Sequence, residues 1–451
     1  MKGRRLFVAG ATIVVLALVA TYGGRAAHAW QSRLDPVSIP SAPAGDASAV
    51  ARGAKLAAIG GCISCHTAPD GQPFAGGLPL QTPYGVIYST NITPDPDTGI
   101  GRWSLDAFTR AMRHGVSRDG HLLYPAFPYP HFTRMSDADI ASLYAWLMSR
   151  EPINARAPKN ELRFPLGFRP IMAAWNLLYL HPGPHEASST NAADPEIARG
   201  RYLVDSVGHC GACHTPLDRL GAERRDSALQ GGTTEGWDAP ALTNLSTRPK
   251  PWTQAQLVSY LRTGFASEHG ASAGPMRPVT RLLADASAED VQAMAAYLIT
   301  FQSNAQATRG DAAASSMNSA SSASSSSSNS SISHVSVAAQ PGNGTSLFVA
   351  ACASCHGESA PMSGGPGHPS LSLGTAINAD SPRNMVRIIL DGIDWDDSAS
   401  AQFMPPFAGT FTNAQIAELA NYTRTRFTAR GPWPSLDADA VARLRKEGPQ
   451  R

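Results

Sequence analysis

Three pentads of the form Cys-x-x-Cys-His decide the fold of this chain: Cys62-Ile63-Ser64-Cys65-His66, Cys210-Gly211-Ala212-Cys213-His214 and Cys352-Ala353-Ser354-Cys355-His356. They contain all six cysteines of the 451 residues, so none is left for a disulfide or a free thiol. The first cysteines are 148 residues apart (62 to 210) and then 142 residues apart (210 to 352). A repeat of this length is a domain, which predicts three tandem domains.

Two thiols one helical turn apart, followed directly by an imidazole, are the signature of covalent haem attachment. Each thiol can form a thioether with a haem vinyl group, and the histidine then binds the iron. A thioredoxin-type pair needs no histidine and occurs in a βαβ setting that this sequence lacks, and a zinc site needs two converging pairs. The sequence therefore predicts three covalently attached haem c groups, bound by Cys62, Cys65, Cys210, Cys213, Cys352 and Cys355, with His66, His214 and His356 on the irons.

Each pentad stands between two predicted helices. A glycine with small apolar residues precedes it, in the segments 53–58, 200–204 and 344–349. After each pentad comes an apolar helix that contains an aromatic residue, in the segments 140–147, 291–298 and 416–422. A capping residue precedes each of these helices. A glycine where two helices cross lets their backbones approach closely. The 40 Gly and 35 Pro favour long loops, so we predict a mainly α chain of three tandem domains arranged like class I cytochrome c.

The predicted boundaries follow these repeats and the composition. The haem domains comprise residues 46–150, 194–301 and 341–430, with a C-terminal tail at 431–451. The connector 151–193 is apolar, and we expect an ordered core between the first two domains; a docking surface for a subunit or the membrane is the alternative. The connector 302–340 is rich in serine, which predicts a flexible linker and a loosely tethered third domain.

The first 29 residues have the pattern of an export signal. Lys2, Arg4 and Arg5 precede an apolar run that reaches about Tyr22, and Ala27-His28-Ala29 has the form of a cleavage site. An uncleaved anchor is the alternative, because the run approaches the ~20 residues that span a bilayer. Either interpretation places the domains on the periplasmic side of a bacterial inner membrane. A net charge of +2 gives no indication of a nucleic-acid partner.

The sixth iron ligand is predicted from methionines on loops before the last helix of each domain, where a thioether raises the reduction potential. Met276 and Met404 stand in such proline-flanked loops. The first domain has Phe127 where the pattern expects methionine. We predict Met135 as its iron ligand, with His131 or an open position as alternatives.

The imidazole nitrogen that faces away from the iron usually donates to a carbonyl group, which orients the ring. The proline-containing loops after the pentads offer the carbonyl groups of Pro83, Pro240 and Pro369 for this purpose. Asp95 and Asp97 lie close together in the first of the three domains, and we interpret them as part of a capped turn, not as an acid–base pair.

With these motifs placed, residues 50–427 resemble the three-haem cytochrome c subunit of membrane-bound bacterial dehydrogenases of the alcohol, gluconate or aldehyde type, except for the serine-rich linker. The resemblance rests on residues 62–69, 90–95, 99–103, 124–129, 208–216 and 404–407. It implies a subunit that takes electrons from a catalytic partner of quinoprotein, flavoprotein or molybdenum type. It also implies that the electrons pass to ubiquinone in the membrane or to a terminal oxidase.

At one point the chain departs from that family. In members that serve alcohol dehydrogenases, the methionine of a Pro-Ala-Met-Pro loop binds the first iron, whereas this chain has Pro125-Ala126-Phe127-Pro128. That loop is similar to the loop in cytochrome subunits of molybdenum hydroxylases, such as nicotinate- or isoquinoline-type oxidoreductases. The donor substrate and the cofactor of the partner therefore stay open.

The sequence predicts an electron-transfer subunit of an oxidoreductase complex that is not an enzyme by itself. No nucleotide-binding glycine loop follows a predicted strand, and no Ser/His/Asp constellation is evident. One alternative is a self-contained haem enzyme of the peroxidase or thiosulfate-oxidising type, which would use an open first iron. Another is a soluble electron shuttle. Because electron tunnelling falls steeply with distance, three haems in one chain would serve as stepping stones.

Overall fold

The structure is a computed structural model that describes residues 33–37, 46–183, 194–245, 250–317, 343–357, 360, 370–394 and 403–447. Within these ranges the chain is mainly helical with short antiparallel strands, which confirms the predicted fold class. The chain divides into two compact units. The first comprises Met1–His209 and Asp285–Ser287, and the second comprises Cys210–Ala284 and Ala288–Arg451, each as far as it is described.

The predicted export segment, residues 1–29, lies outside the described residues. In the described part of the chain, every helix is too short or too polar to cross a bilayer.

The first unit contains the helices α1 (Ala47–Ile59), α2 (Cys62–Cys65), α3 (Leu105–His114), α4 (Tyr129–Phe132), α5 (Asp137–Met148), α6 (Ile171–Tyr179) and α7 (Pro195–Tyr202). A π-helix, Leu203–Val207, continues α7 directly. The strands β1 (Pro79–Thr82), β2 (Gly85–Tyr88) and β3 (Glu161–Leu162) form one antiparallel sheet in that order. In its register, Leu80 stands opposite Ile87 and Val86 stands opposite Glu161.

Helix α1 packs across α5 at Gly53, the crossing that the repeated glycine predicts. A Cβ atom on Gly53 would lie 2.1 Å from the carbonyl oxygen of Ser142 and 2.6 Å from the Cβ of Trp146. Only glycine permits this approach. Helix α5 begins after Ser136, whose side chain accepts a hydrogen bond from the Asp139 amide, as a capping residue does.

The apolar connector between the first two predicted domains packs partly on the first. Tyr129 donates its hydroxyl hydrogen to Asn176 on α6 at 2.6 Å, and Met172 and Trp175 on the same helix are buried. Four of its large apolar side chains are exposed instead: Phe164 by 96%, Phe168 by 66%, Leu177 by 51% and Leu178 by 61%. The connector is therefore partly buried on the first predicted domain and partly exposed, and the core between the first two domains stays a prediction.

Helix α7 and the π-helix belong to the first unit, although the sequence assigns them to the second domain. The hydroxyl of Tyr202 donates to the buried carboxylate of Asp139 at 2.6 Å. The Nε2 atom of His209 lies 3.1 Å from the carbonyl oxygen of Gly60. These are polar contacts between residues far apart in the sequence, which hydrophobic periodicity does not reveal.

The second unit contains α8 (Gly211–His214), α9 (Gln254–Thr263), α10 (Met276–Leu283), α11 (Ala288–Met317), α12 (Asn343–Ala351), α13 (Ala353–His356), α14 (Thr375–Asn378), α15 (Arg383–Asp391), α16 (Asn413–Phe427) and α17 (Ala438–Glu447). The described part of this unit also has short 3₁₀-helices at Arg225–Ser227 and Leu371–Leu373. Its described strands form antiparallel hairpins, one of β4 (Gly232–Thr234) with β5 (Trp237–Ala239) and one of β6 (Phe265–Ala266) with β7 (Gly270–Ala271).

The crossing of first and last helices recurs in the third predicted domain. A Cβ atom on Gly344 of α12 would lie 2.8 Å from the Cβ of Tyr422 on α16. Helix α16 begins with the predicted cap at Thr412, which forms a capping box with Gln415. Gly344 and Tyr422 thus contact each other at the helix crossing that the sequence repeat predicts.

Two segments of the second unit differ from the sequence prediction. Helix α11 continues to Met317, inside the segment predicted as a flexible linker, because alanine and glutamine in this stretch are strong helix formers. The serine-rich run at 321–331 lies outside the described residues. The predicted C-terminal tail contains α17, whose Val441 and Leu444 are buried in the core of the third domain.

The third predicted domain is hydrogen-bonded to the second within this unit. The Asp238 amide on β5 donates to Asn384 Oδ1 at 2.9 Å, and Asn384 Nδ2 donates back to the Asp238 carbonyl at 2.7 Å. Arg383 Nε lies 3.1 Å from Asp238 Oδ1. The structure therefore differs from the prediction of a loosely tethered third domain, because α15 docks on the β4–β5 hairpin.

Candidate haem-attachment sites

Each pentad folds as one helical turn closed by the same backbone hydrogen bond. The amide of the histidine donates to the carbonyl of the first cysteine, at 3.0 Å for His66 and His214 and at 2.8 Å for His356. Residues three apart in a helix lie on the same side of it. Both thiols of a pentad therefore stand over one turn, with the imidazole at its C-terminal end, which is the arrangement that two thioether bonds and an iron ligand require.

Burial raises the pKa of one thiol in each pentad. Burial, and secondarily the neighbouring Cys65, raises the pKa of Cys62 to about 12, and burial with Cys355 raises the pKa of Cys352 to about 11. Burial also raises the pKa of Cys213. At ordinary pH, burial therefore holds one thiol of each pentad in its neutral form.

The first histidine is oriented by a carbonyl group of the loop at residues 90–95. The Nδ1 atom of His66 lies 2.6 Å from the carbonyl oxygen of Thr90, so the prediction of Pro83 is wrong. Gly76, at φ +75°, makes the approach possible, because a Cβ atom there would lie 2.4 Å from the carbonyl carbon of Thr90. Asn91 anchors the loop by donating to the Ile153 carbonyl at 2.7 Å.

Asp95 ends the same loop and Asp97 follows it, and from the sequence we interpret these two carboxylates as part of a capped turn. Oδ1 of Asp95 accepts hydrogen bonds from the amide and the hydroxyl of Thr98, both at 2.7 Å, and from the amide of Asp97 at 3.1 Å. Burial is the largest single contribution and raises the pKa of Asp95. The hydrogen bonds together outweigh it, so the pKa of this carboxyl is lowered. The interpretation as a capped turn is confirmed.

The second histidine is oriented as predicted. The Nδ1 atom of His214 lies 2.7 Å from the carbonyl oxygen of Pro240, directly after β5. The strand β4 packs against the pentad, since a Cβ atom on Gly232 would lie 2.4 Å from the Cys213 carbonyl oxygen. For the third histidine, the candidate Pro369 lies outside the described residues.

The surroundings of His66 and His214 fit a histidine that binds iron. Burial lowers the pKa of His66 and of His214, and the hydrogen bond to the carbonyl opposes this shift in each case. A neutral ring that donates its Nδ1 hydrogen to a carbonyl keeps its lone pair on Nε2, the nitrogen available to a metal. A haem bound there supplies reversible one-electron chemistry at its iron.

Of the predicted distal residues of the second and third domains, Met404 lies on a loop as predicted, whereas Met276 lies directly after the predicted loop, at the start of a helix. Met276 is the first residue of α10. Met404 and Ile393 exchange backbone hydrogen bonds of 2.9 and 2.8 Å, at the end of α15. Both methionines are partly buried.

In the first domain, the residues around the expected methionine form an aromatic group. The ring of Phe127 lies 5.5 Å from that of Phe132 and 6.3 Å from that of Tyr129, measured between centroids. His131 is buried, and its Nδ1 lies 2.9 Å from the carbonyl oxygen of Asp205. Met135 is 1% exposed and lies between α4 and α5. The three positions thus belong to one short segment that leads into α5.

Comparison with known proteins places this geometry in a family. The family model described as Cytochrome c matches residues 50–151 and 197–302, and the model described as Cytochrome C oxidase, cbb3-type, subunit III matches residues 339–422. The cytochrome c subunit of alcohol dehydrogenase (quinone) from Gluconacetobacter polyoxogenes is 34% identical over 443 residues, 92% of this chain and 88% of that protein. The chain belongs to the family of cytochrome c subunits of dehydrogenases.

Other relatives in this family serve different dehydrogenases. The gluconate 2-dehydrogenase cytochrome c subunit of Pantoea cypripedii is 35% identical over 417 residues, 88% of this chain and 90% of that protein. A nicotinate dehydrogenase subunit of Pseudomonas putida is 42% identical over 414 residues, 91% of this chain but 33% of that protein. The chain therefore spans about a third of this last relative. These relatives confirm the resemblance noted in the sequence.

Proposed function

We propose that this chain carries three haem c groups and transfers electrons from the catalytic subunit of a periplasmic dehydrogenase to ubiquinone or to a terminal oxidase. The observation that carries the proposal is the same closed turn at each of the three pentads, with the histidine amide bonded to the first cysteine. Its support is membership in a family whose relatives are named as cytochrome subunits of dehydrogenases.

The ligands of the proposed haems follow from the site. His66, His214 and His356 bind the irons from one side, and Met276 and Met404 complete the second and third sites. For the first site we propose Met135, with His131 or an open position as alternatives. The support for His66 and His214 is their Nδ1 contact with a carbonyl oxygen, which leaves Nε2 for the metal.

We propose a partner of molybdenum type over the quinoprotein and flavoprotein types. Two features support it: the Pro125-Ala126-Phe127-Pro128 loop, and the identity of 42% with the nicotinate dehydrogenase subunit, compared with 34% for the alcohol dehydrogenase subunit.

The test uses the holoprotein in complex with the dehydrogenase that copurifies with it. Adding the substrate of that dehydrogenase is expected to reduce all three haems, and a ubiquinone analogue is expected to reoxidise them, both followed by haem absorbance. The isolated chain should remain oxidised with the same substrate. Direct reduction of the isolated chain, or carbon monoxide binding at one ferrous haem in three, would indicate a self-contained haem enzyme instead.

We further propose that the exposed apolar side chains of the connector hold the chain on the periplasmic side of the inner membrane. Phe168 and Leu178 are exposed by 66% and 61%, and they are large side chains that water solvates poorly. Burying one such side chain contributes ~1.5–3 kcal/mol, so a few suffice for reversible attachment.

Charged replacements on this surface are expected to weaken membrane attachment. Each of Phe168→Glu and Leu178→Glu should lower binding of the holoprotein to phospholipid vesicles by roughly tenfold or more, measured by cosedimentation, since the lost transfer free energy is ~1.5–3 kcal/mol. Leu217→Glu is the matched control, because Leu217 is 51% exposed but lies in the second unit. Equal binding of all three variants would contradict the proposed surface.

A further inference from the structure

A buried arginine joins the two loops that carry Met276 and Met404. Arg277 directly follows Met276, is 7% exposed, and donates from Nη2 to the carbonyl oxygen of Asp394 at 2.5 Å. Asp394 directly follows Ile393, the backbone partner of Met404. A short chain of covalent and hydrogen bonds therefore connects the two methionine loops within the second unit.

The loop of Met404 is fixed from the end of α15. Gly392 has a φ of +72°, and a Cβ atom there would lie 2.3 Å from the carbonyl oxygen of Met404. The amide of Phe407 donates to the carbonyl of Ile389 on α15 at 3.0 Å. A group that holds Asp394 in place therefore also holds the segment that positions Met404.

The loop of Met276 is fixed at the start of α10. Gly274, at φ +53°, packs directly on the indole of Trp237, since a Cβ atom there would lie 2.4 Å from that ring. The amide of Arg277 donates to the carbonyl of Gly274 at 3.0 Å, and its own carbonyl accepts from the Thr280 hydroxyl at 3.0 Å. The backbone of Arg277 is thus part of the same turn that positions Met276.

The guanidinium itself adds an electrostatic effect. An arginine side chain keeps its charge at all ordinary pH values. In a buried position its field is weakly screened. Because a ferric site carries one more positive charge than a ferrous site, a nearby cation disfavours the ferric state and raises the reduction potential.

We propose that Arg277 is a positioning residue that holds the methionine loops of the second and third haem sites together and speeds electron exchange between them. The inference rests on the proposed function. In the step, one electron supplied by the dehydrogenase partner moves between the sites: the ferrous iron at one is oxidised to ferric and the ferric iron at the other is reduced to ferrous. Arg277 keeps its proton and its charge.

The test compares full-length holoprotein variants. Arg277→Leu removes both the hydrogen bond and the charge. It is expected to slow exchange between the second and third haems, because the two methionine segments are no longer held together and tunnelling falls steeply with distance. It should also lower the reduction potentials of these two haems and leave that of the first unchanged. Arg277→Lys, which keeps a donor and the charge, should restore most of both properties. Rates are measured by flash photolysis and potentials by redox titration.

Arg424→Leu is the matched control. Arg424 is 6% exposed and also donates to a backbone carbonyl, that of Ala379 at 2.9 Å, but it packs on Trp433 inside the third domain. Its loss should destabilise the protein to a similar extent without changing the potential of the second haem. A merely structural role for Arg277 would make the two leucine variants behave alike.

The outcomes separate this inference from the proposed function. Fewer than three haems in the parent protein, measured by mass, would contradict the proposed function. Three haems with unchanged exchange and unchanged potentials in Arg277→Leu would overturn the role of Arg277 alone. If the leucine variant does not retain three haems, the same comparison is made with Arg277→Gln, and unchanged rate and potential there overturn the inference equally.

Discussion

Replacing both cysteines of one pentad with alanine is expected to lower the covalent haem content of the holoprotein by one third. The variant Cys62→Ala/Cys65→Ala removes both thiols that can form thioethers at the first site, while the other two pairs keep theirs. Each pentad is closed by its own hydrogen bond between the histidine amide and the first cysteine, so the loss should stay local. The same result is expected for the second and third pairs.

The measurement is the mass of the denatured chain, together with haem absorbance per chain. The control is Ser64→Ala, which changes an exposed residue between the two cysteines and leaves both thiols in place. It should retain all three haems. Because all six cysteines lie in the pentads, the denatured parent holoprotein should also contain no titratable thiol. A double alanine variant that keeps the parent mass increment of three haems would contradict the assignment.

Gly53→Ala is expected to destabilise the first domain by at least ~3 kcal/mol, the upper end of the usual cost of overpacking. The added methyl group would lie 2.1 Å from the carbonyl oxygen of Ser142, and a backbone atom cannot move aside without displacing α5. Since α1 leads directly to the first pentad, separation of these helices also disturbs the site that holds Cys62. We expect a lower midpoint in urea unfolding and a lower yield of holoprotein.

The matched control for this glycine is Gly167→Ala in the same unit. A Cβ atom at position 167 would meet nothing within 4 Å. That variant should change the free energy of unfolding by no more than ~0.5 kcal/mol, as an exposed substitution usually does. If both alanine variants unfold at the same urea concentration as the parent, close contact of α1 with α5 is not needed for stability.

Part of the site could be predicted because its chemistry is local in the sequence. Cysteine, cysteine and histidine at fixed spacing form one turn in each pentad, and the turn needs only its own backbone hydrogen bond. The helix caps at Ser136 and Thr412 are local for the same reason, since a hydroxyl bonds an amide three residues later. Gly53 and Gly344 were evident because the repeat places them in register.

The carbonyl partners of the histidines could be predicted only in part. Pro240 was predicted correctly for His214, but His66 uses Thr90 and not Pro83. Every residue has a carbonyl group, so composition cannot distinguish one from another. The signal that would have helped was the 90–95 motif itself, whose Asn91 and Asp95 have their side chains engaged in holding the loop.

The sequence by itself determined that this protein is mainly α, has three Cys-x-x-Cys-His pentads that each form one turn, and has glycines at the helix crossings of Gly53 and Gly344, because each of these features depends on neighbouring residues or on a repeated pattern. Only the tertiary structure decided that α7 belongs to the first unit, that α15 docks on the β4–β5 hairpin, and that Arg277 reaches Asp394. The last two contacts join single polar groups more than 100 residues apart in the chain. Such pairs leave no periodic signal, since a buried polar group needs a partner of the right geometry and not a particular spacing in the chain.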